Sequence, residues 1–104
     1  MIKVWLDDEW EPTEDWYWVK TTEECVNYLR SHKVDMLSLD YDLGDNSRGT
    51  GLSVAQWLTW AAQYNPTVSR DTLPHLIAIH SSNEIGKQKI RRELRKLGKN
   101  YVIK

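Results

Sequence analysis

A chain of 104 residues with 40% apolar side chains, six Trp and five Tyr has material for one cooperative core and no room for a second full domain. Its one cysteine, Cys25, excludes an intramolecular disulfide and a multi-thiolate metal site and favours a reducing compartment. The formal net charge of −1 argues against broad, sequence-independent DNA binding, yet it conceals a division: residues 1–45 carry twelve acidic and four basic side chains, residues 46–104 three acidic and ten basic.

Ile2 to Leu6 reads as a short buried strand that stops where Asp7-Asp8-Glu9 cannot enter a core unpaired. The apolar run is too short for a secretory or membrane segment, so the expectation is a soluble, cytoplasmic protein. Pro12 imposes irregular backbone, and Trp16-Tyr17-Trp18-Val19 predicts a second strand. The connection between the two is too short for an ordinary crossover helix. Thr21 opens a helix, with Glu24 three residues on as in a capping box. Cys25, Val26 and Leu29 form its apolar stripe and Glu24, Asn27 and Arg30 face water. A turn at Ser31-His32-Lys33 leads to a third strand, Val34 to Leu39, which runs into Asp40.

Residues 41–51 are polar and glycine-rich. From Gly51 a second helix is predicted, with Leu52, Ala55, Leu58 and Ala62 on one face and Val54 and Ala61 beside it, ending at Asn65-Pro66. A polar loop to Thr72 precedes the strand Leu76-Ile77-Ala78-Ile79, which delivers His80-Ser81-Ser82-Asn83. A third helix is expected from Glu84 to Leu97, with Ile90, Leu94 and Leu97 inward and a Gly98 stop. Seven basic residues lie between Lys87 and Lys99, either as a solvated helix face or as a surface for phosphate or an acidic partner. Tyr101-Val102-Ile103 predicts a final edge strand.

Alternating strands and helices argue for a mainly parallel sheet covered on both faces, with its site outside the carboxyl ends of the strands. Asp7-Asp8-Glu9, Asp40-Tyr41-Asp42 and His80-Ser81 then share one rim. Asp7, Asp8 and Asp40 offer hard oxygen ligands to Mg²⁺ or another divalent cation, and without one their mutual repulsion raises the pKa of at least one of them. Two readings stand: a cation site, or Asp7 or Asp8 capping a turn while Asp40 accepts backbone N–H bonds. His80 is either a general acid or base or a buried hydrogen-bonding residue. Ser81, Ser82 and Asn83 either donate to a phosphate oxygen or cap the following helix. Arg48-Gly49-Thr50-Gly51 lacks P-loop spacing but can approach an anion through Arg48, the Thr50 hydroxyl and the glycine backbone. Trp5, Trp10, Trp16 and Trp18 either stack on bases or pack in the core, and one of Trp57 and Trp60 is expected to be exposed for a protein partner.

Val4-Trp5-Leu6-Asp7-Asp8-Glu9, Leu39-Asp40-Tyr41-Asp42-Leu43-Gly44, Gly49-Thr50-Gly51 and Ile79-His80-Ser81-Ser82-Asn83 together resemble the cyclic-phosphate processing receiver-like domains and, more distantly, response-regulator receivers. The resemblance implies one receiver-like domain over residues 1–104. Its expected fold is three-layer α/β/α (flavodoxin-like), with about five mainly parallel strands in the order 2-1-3-4-5 and the first crossover helix missing or reduced. It implies Asp7 and Asp8 as the metal-binding acidic pair, Asp40 at the phosphoacceptor position, Ser81 at the hydroxyl switch position and Lys104 at the receiver lysine. Trp10 stands where an arginine is usual in the family, and Tyr41 where a histidine is usual. The functional expectation is metal-dependent recognition or hydrolysis of a cyclic phosphate or related phosphoester, on a small molecule or an RNA end. In that scheme His80, Asp40 and Asp8 carry any catalysis; Arg48, Thr50, Gly51, Ser81 and Asn83 bind phosphate; Glu9, Tyr41 and Asp42 complete the rim. The alternative is a non-catalytic protein-binding module, an inhibitor or signalling adaptor.

Overall fold

The computed structural model describes residues 1–65 and 71–104. Strand β1 (Lys3–Leu6) runs between β2 (Tyr17–Val19) and β3 (Met36–Leu39); β4 (Leu76–Ile79) and β5 (Val102–Ile103) complete a five-stranded, fully parallel sheet of order β2-β1-β3-β4-β5. The expected strand number, order and sense are thus observed. No helix separates β1 from β2. Among the described residues, no helix is long and apolar enough to cross a membrane.

Helix α1 (Thr22–Ser31) begins as its sequence dictates: the Thr21 hydroxyl accepts the Glu24 N–H at 3.0 Å, and Cys25 and Leu29 are buried. Helix α2 (Gly51–Tyr64) is capped by Thr50 through the Ser53 N–H and stops at Asn65. Its buried ridge is Val54, Ala55, Leu58 and Ala61. The expected ridge is therefore rotated, with Leu52 and Ala62 only partly covered at its edges, because α2 packs between α1 and α3 (Glu84–Leu94) as well as on the sheet. Helix α3 is one turn shorter than expected, its end tightening into a 3-10 turn, Arg95–Leu97, before Gly98 at φ 85°. The polar loop expected up to Thr72 lies, at residues 66–70, outside the described residues.

Strand periodicity decides which side of the sheet is covered. Val4, Leu6, Leu37, Leu39, Ile77 and Ile79 are buried and pair across β1, β3 and β4 on one face, where they form the core with Val54, Leu58, Ile90 and Leu94. On the other face the register row Trp18, Trp5, Ser38 and Ala78 is covered by no helix among the described residues. Right-handed crossovers that all step in the same direction put α1, α2 and α3 on one side. The described helices α1, α2 and α3 therefore pack on that one face of the receiver-like sheet, and the indoles of Trp5, Trp16 and Trp18 lie over the opposite face.

Gly51 sets the distance between helix and sheet. A Cβ there would stand 2.1 Å from the Asp40 carbonyl oxygen, and the Gly51 N–H donates to the Tyr41 carbonyl at 3.1 Å. Backbone cannot yield as a flexible side chain can, so Gly51→Ala is expected to cost about 2 kcal/mol or more. A shift of the urea midpoint at unchanged m-value checks this; an unshifted midpoint would show that α2 is not seated against β3 at this contact.

Candidate functional site

The sheet ladder runs one residue past each central strand. Asp7 N–H donates to the Val19 carbonyl at 3.1 Å, Asp40 N–H to Leu6 at 3.0 Å and His80 N–H to Leu39 at 2.9 Å. Because Leu6, Leu39 and Ile79 face the core, the next residue of each strand emerges on the opposite side. Asp7, Asp40 and His80 therefore arrive at one level above the Trp5 face.

One ligand oxygen from each of Asp7, Asp8 and Asp40 lies within 4.8 Å of the others. These residues line an open cavity of about 360 Å³ together with Glu9, Trp10, Asp42, Gly44, His80 and Ser82. The donor set suits a hard divalent cation: trans oxygens around Mg²⁺ stand about 4.2 Å apart and around Ca²⁺ about 5 Å. Carboxylate oxygens already holding one hydrogen bond retain lone pairs for a cation.

Asp7 is 3% exposed. Its Oδ1 accepts the Glu9 and Trp10 N–H groups at 2.9 and 3.0 Å, its carbonyl accepts Trp18 Nε1–H at 2.7 Å, and its Oδ2 stands 3.1 Å from His80 Nε2. It thus anchors the Glu9–Trp10 turn and contributes an oxygen to the carboxylate cluster as well. Asp8 Oδ2 lies 3.5 Å from Arg48 Nη1. Gly44, at φ 91°, gives that pair room, since a Cβ would sit 3.0 Å from the guanidinium and 3.1 Å from Asp8.

His80 is bonded at both ring nitrogens and stacks on Trp5, with centroids 3.7 Å apart and planes at 10°. Ser38 Oγ is 2.6 Å from Nδ1. The Asp7 carboxylate requires a donor, so Nε2 carries the proton and Nδ1 accepts from the Ser38 hydroxyl. Burial lowers the His80 pKa, against the opposing pull of Asp7, which keeps this ring neutral. Ser38, 3% exposed, joins the candidate site although its strand pattern does not single it out; a lone hydroxyl amid Met36, Leu37 and Leu39 is its one signal in the sequence.

The Asp40 carboxyl is pushed up to about 6, first by burial and less by the charges of Asp7 and Asp42, while the Ser81 hydroxyl opposes the shift. The expected rise at one acid is present, but desolvation outweighs repulsion in causing it.

The remaining positions divide. Glu9 and Asp42 line the cavity. Asn83 caps α3 through the Gly86 N–H and reaches Asp42 Oδ2 with its amide at 3.2 Å. Ser81 is buried, accepts the Asn83 N–H and bonds Asp40. Thr50 and Gly51 do not line the cavity: Thr50 caps α2 and accepts the Thr22 hydroxyl on its carbonyl, and Gly51 is buried. Tyr41 also leaves the rim, its ring lying against Gly86, where a Cβ would be 2.4 Å from Cγ. Lys104 follows β5, donates its N–H to the Ile77 carbonyl and is not among the residues that line the cavity.

The Asp40 shift has a definite sign. The folded chain holds this proton more tightly than the unfolded one, so cation-free protein loses stability as pH rises from about 4 to about 6, with no further loss above. Asp40→Asn removes that dependence. Urea midpoints of both proteins in chelator check it: relative to the variant, wild type is expected to weaken across this interval, and a constant difference would show an ordinary carboxyl.

A family model described as Cyclic-phosphate processing Receiver domain matches residues 2–96. No curated protein and no solved structure matches the chain.

Proposed function

The chain belongs to the cyclic-phosphate processing receiver domain family, and we propose that its acidic rim binds and hydrolyses a cyclic phosphate or related phosphoester with the help of a divalent cation. The observation that carries this reading is the convergence of Asp7, Asp8 and Asp40 oxygens within 4.8 Å on a cavity that His80 also lines. Carboxylates alone would repel a phosphate. Held by these three residues, Mg²⁺ or a similar ion supplies charge neutralisation and Lewis-acid polarisation of a phosphoryl oxygen.

The chain's own groups do the rest. Arg48, half-exposed and only weakly paired to Asp8, turns its guanidinium to a phosphate oxygen. Ser82, which lines the cavity, and the Asn83 amide, held beside it on Asp42, are further donors. Ser81 holds Asp40, and Ser38 and His80 hold Asp7, so these are positioning residues. Water adds to phosphorus, one ester P–O bond of the ring breaks, and a rim carboxylate takes the water proton. The departing oxygen needs a proton in return. Solvent water in the open cavity gives it, since the Nε2–H of the neutral His80 ring is too weak an acid to do so, and His80 keeps Asp7 oriented instead.

Calorimetric titration with Mg²⁺ and turnover of 2',3'-cyclic nucleotides to open monoesters test this. Asp40→Asn is expected to abolish both, and Ser38→Ala to weaken the cation about tenfold or more while the fold survives. Absence of cation binding, or of turnover that depends on His80 and Asp40, would overturn the proposal.

A second reading, a protein-binding module, is favoured by one feature away from the rim. Trp60 and Tyr64 are exposed on α2 with rings 5.8 Å apart, beside a groove of about 780 Å³ that Leu29, Arg30, Trp57 and Leu73 also line. Exposed Arg92 and Arg95 on the neighbouring helix offer charge to an acidic partner. In pull-downs from native lysate, Trp60→Ala/Tyr64→Ala is expected to lose a partner that Asp40→Asn retains; equal recovery by both argues against this surface.

A further inference from the structure

We propose that Trp10 is the specificity-determining residue of the rim: its indole is a stacking platform for a planar ring carried by the phosphoester, so that the ligand is a nucleobase-bearing one. This rests on the phosphoester reading of the rim and names the part of the ligand that the carboxylates and Arg48 do not touch.

Trp10 is 69% exposed and lines the acidic cavity. Leaving an indole in water forgoes a large burial free energy, and the other tryptophans of the first twenty residues avoid it. Trp5 stacks on His80, Trp16 meets Trp5 edge-on at 5.7 Å, and Trp18 donates to the Asp7 carbonyl and carries Lys20 over its ring. Among the described residues, the Trp10 indole has neither a ring contact nor a hydrogen-bond partner.

Its backbone, in contrast, is held on both sides. The Trp10 N–H donates to Asp7 Oδ1 at 3.0 Å, and its carbonyl accepts Trp5 Nε1–H at 2.8 Å. The residue that presents the free indole is thus tied directly to a carboxylate of the cation cluster. A ring stacked there stays in register with a phosphate at the acids, and little backbone freedom is lost on binding. Every nucleobase has a face that an indole can stack on, whereas an aliphatic phosphoester gains no comparable contact.

The test uses the full chain with Mg²⁺ and three probes: adenosine 2',3'-cyclic phosphate, a short RNA ending in a 2',3'-cyclic phosphate, and a base-free ribose 2,3-cyclic phosphate. Dissociation constants are measured for wild type, Trp10→Ala and Trp10→Tyr, with circular dichroism to check folding. Wild type is expected to bind the base-bearing probes about tenfold or more tighter than the base-free one. That ratio falls towards one in Trp10→Ala and is largely kept in Trp10→Tyr. Tighter binding of RNA than of the mononucleotide assigns the ligand to an RNA end; equal binding assigns it to a free nucleotide. Base-free binding as tight as base-bearing binding, or a ratio that Trp10→Ala leaves in place, overturns the role of Trp10 and leaves the phosphoester site standing. If none of the probes binds, the phosphoester reading itself falls, and the platform with it.

Discussion

Asp7 is held at every polar atom it has, and the organisation of the rim follows from that constraint. Its N–H joins the ladder to β2, its carbonyl is tied to the Trp18 indole, one side-chain oxygen anchors the Glu9–Trp10 turn, and the other faces His80. A buried carboxylate without such partners would be expelled or protonated. With them it stays at a fixed height, and Asp8, its sequence neighbour, is carried to the cavity wall. The turn it anchors replaces the crossover helix that β1 and β2 lack. Two parallel strands joined by so short a connection need another device to hold the return path, and here indole N–H groups supply it: Trp18 on Asp7, and Trp5 on Trp10.

Order at Asp7 contrasts with unbalanced charge around it. Three carboxylates approach within 4.8 Å, and Arg48 reaches only Asp8, at 3.5 Å. The Asp40 carboxyl, pushed up to about 6 mainly by burial, is where this tension surfaces. A carboxylate cluster of this kind costs the fold stability, and a bound cation would offset that cost. That linkage is the ordinary consequence of ligating groups that must be ionised to bind. His80 escapes the problem by staying neutral, since burial opposes its protonation while Ser38 and Asp7 satisfy both ring nitrogens.

Much of this was legible in the chain. Apolar runs ending in Asp7, Asp40 and His80 marked the tops of three strands, because an acid or imidazole directly after buried leucine or isoleucine has only the sheet rim to occupy. The capping of α1 by Thr21 and the stop at Gly98 were equally local. What escaped notice was tertiary. Thr50 and Gly51 look like anion-loop residues by composition, but the distance between α2 and β3 makes one a cap and the other a spacer. Tyr41 alternates with Asp40 and Asp42 and so looked like a rim residue, yet the small Gly86 gives its ring a place against α3. Ser38 had only its polarity to betray it, since its partner lies 42 residues on. The rotated ridge of α2 depends on packing between two other helices, which no periodicity within α2 contains.

The single helical layer ties the tryptophan content to the site. A five-stranded sheet with helices on one side leaves the other side in water, and in a chain this short no further helix among the described residues covers it. Trp5, Trp16 and Trp18 each bring a large flat side chain to that face for the conformational cost of two χ angles, which is an economical substitute for an element. The same indoles continue upward into the rim, where Trp5 stacks on His80 and thereby sets the plane of the ring that faces Asp7. Covering the sheet and orienting the imidazole are therefore one packing event, and a change at Trp5 reaches the carboxylates through two contacts. Trp10, at the top of this aromatic series, has no sheet beneath it to cover, and the Trp5 indole that supports His80 also holds its carbonyl.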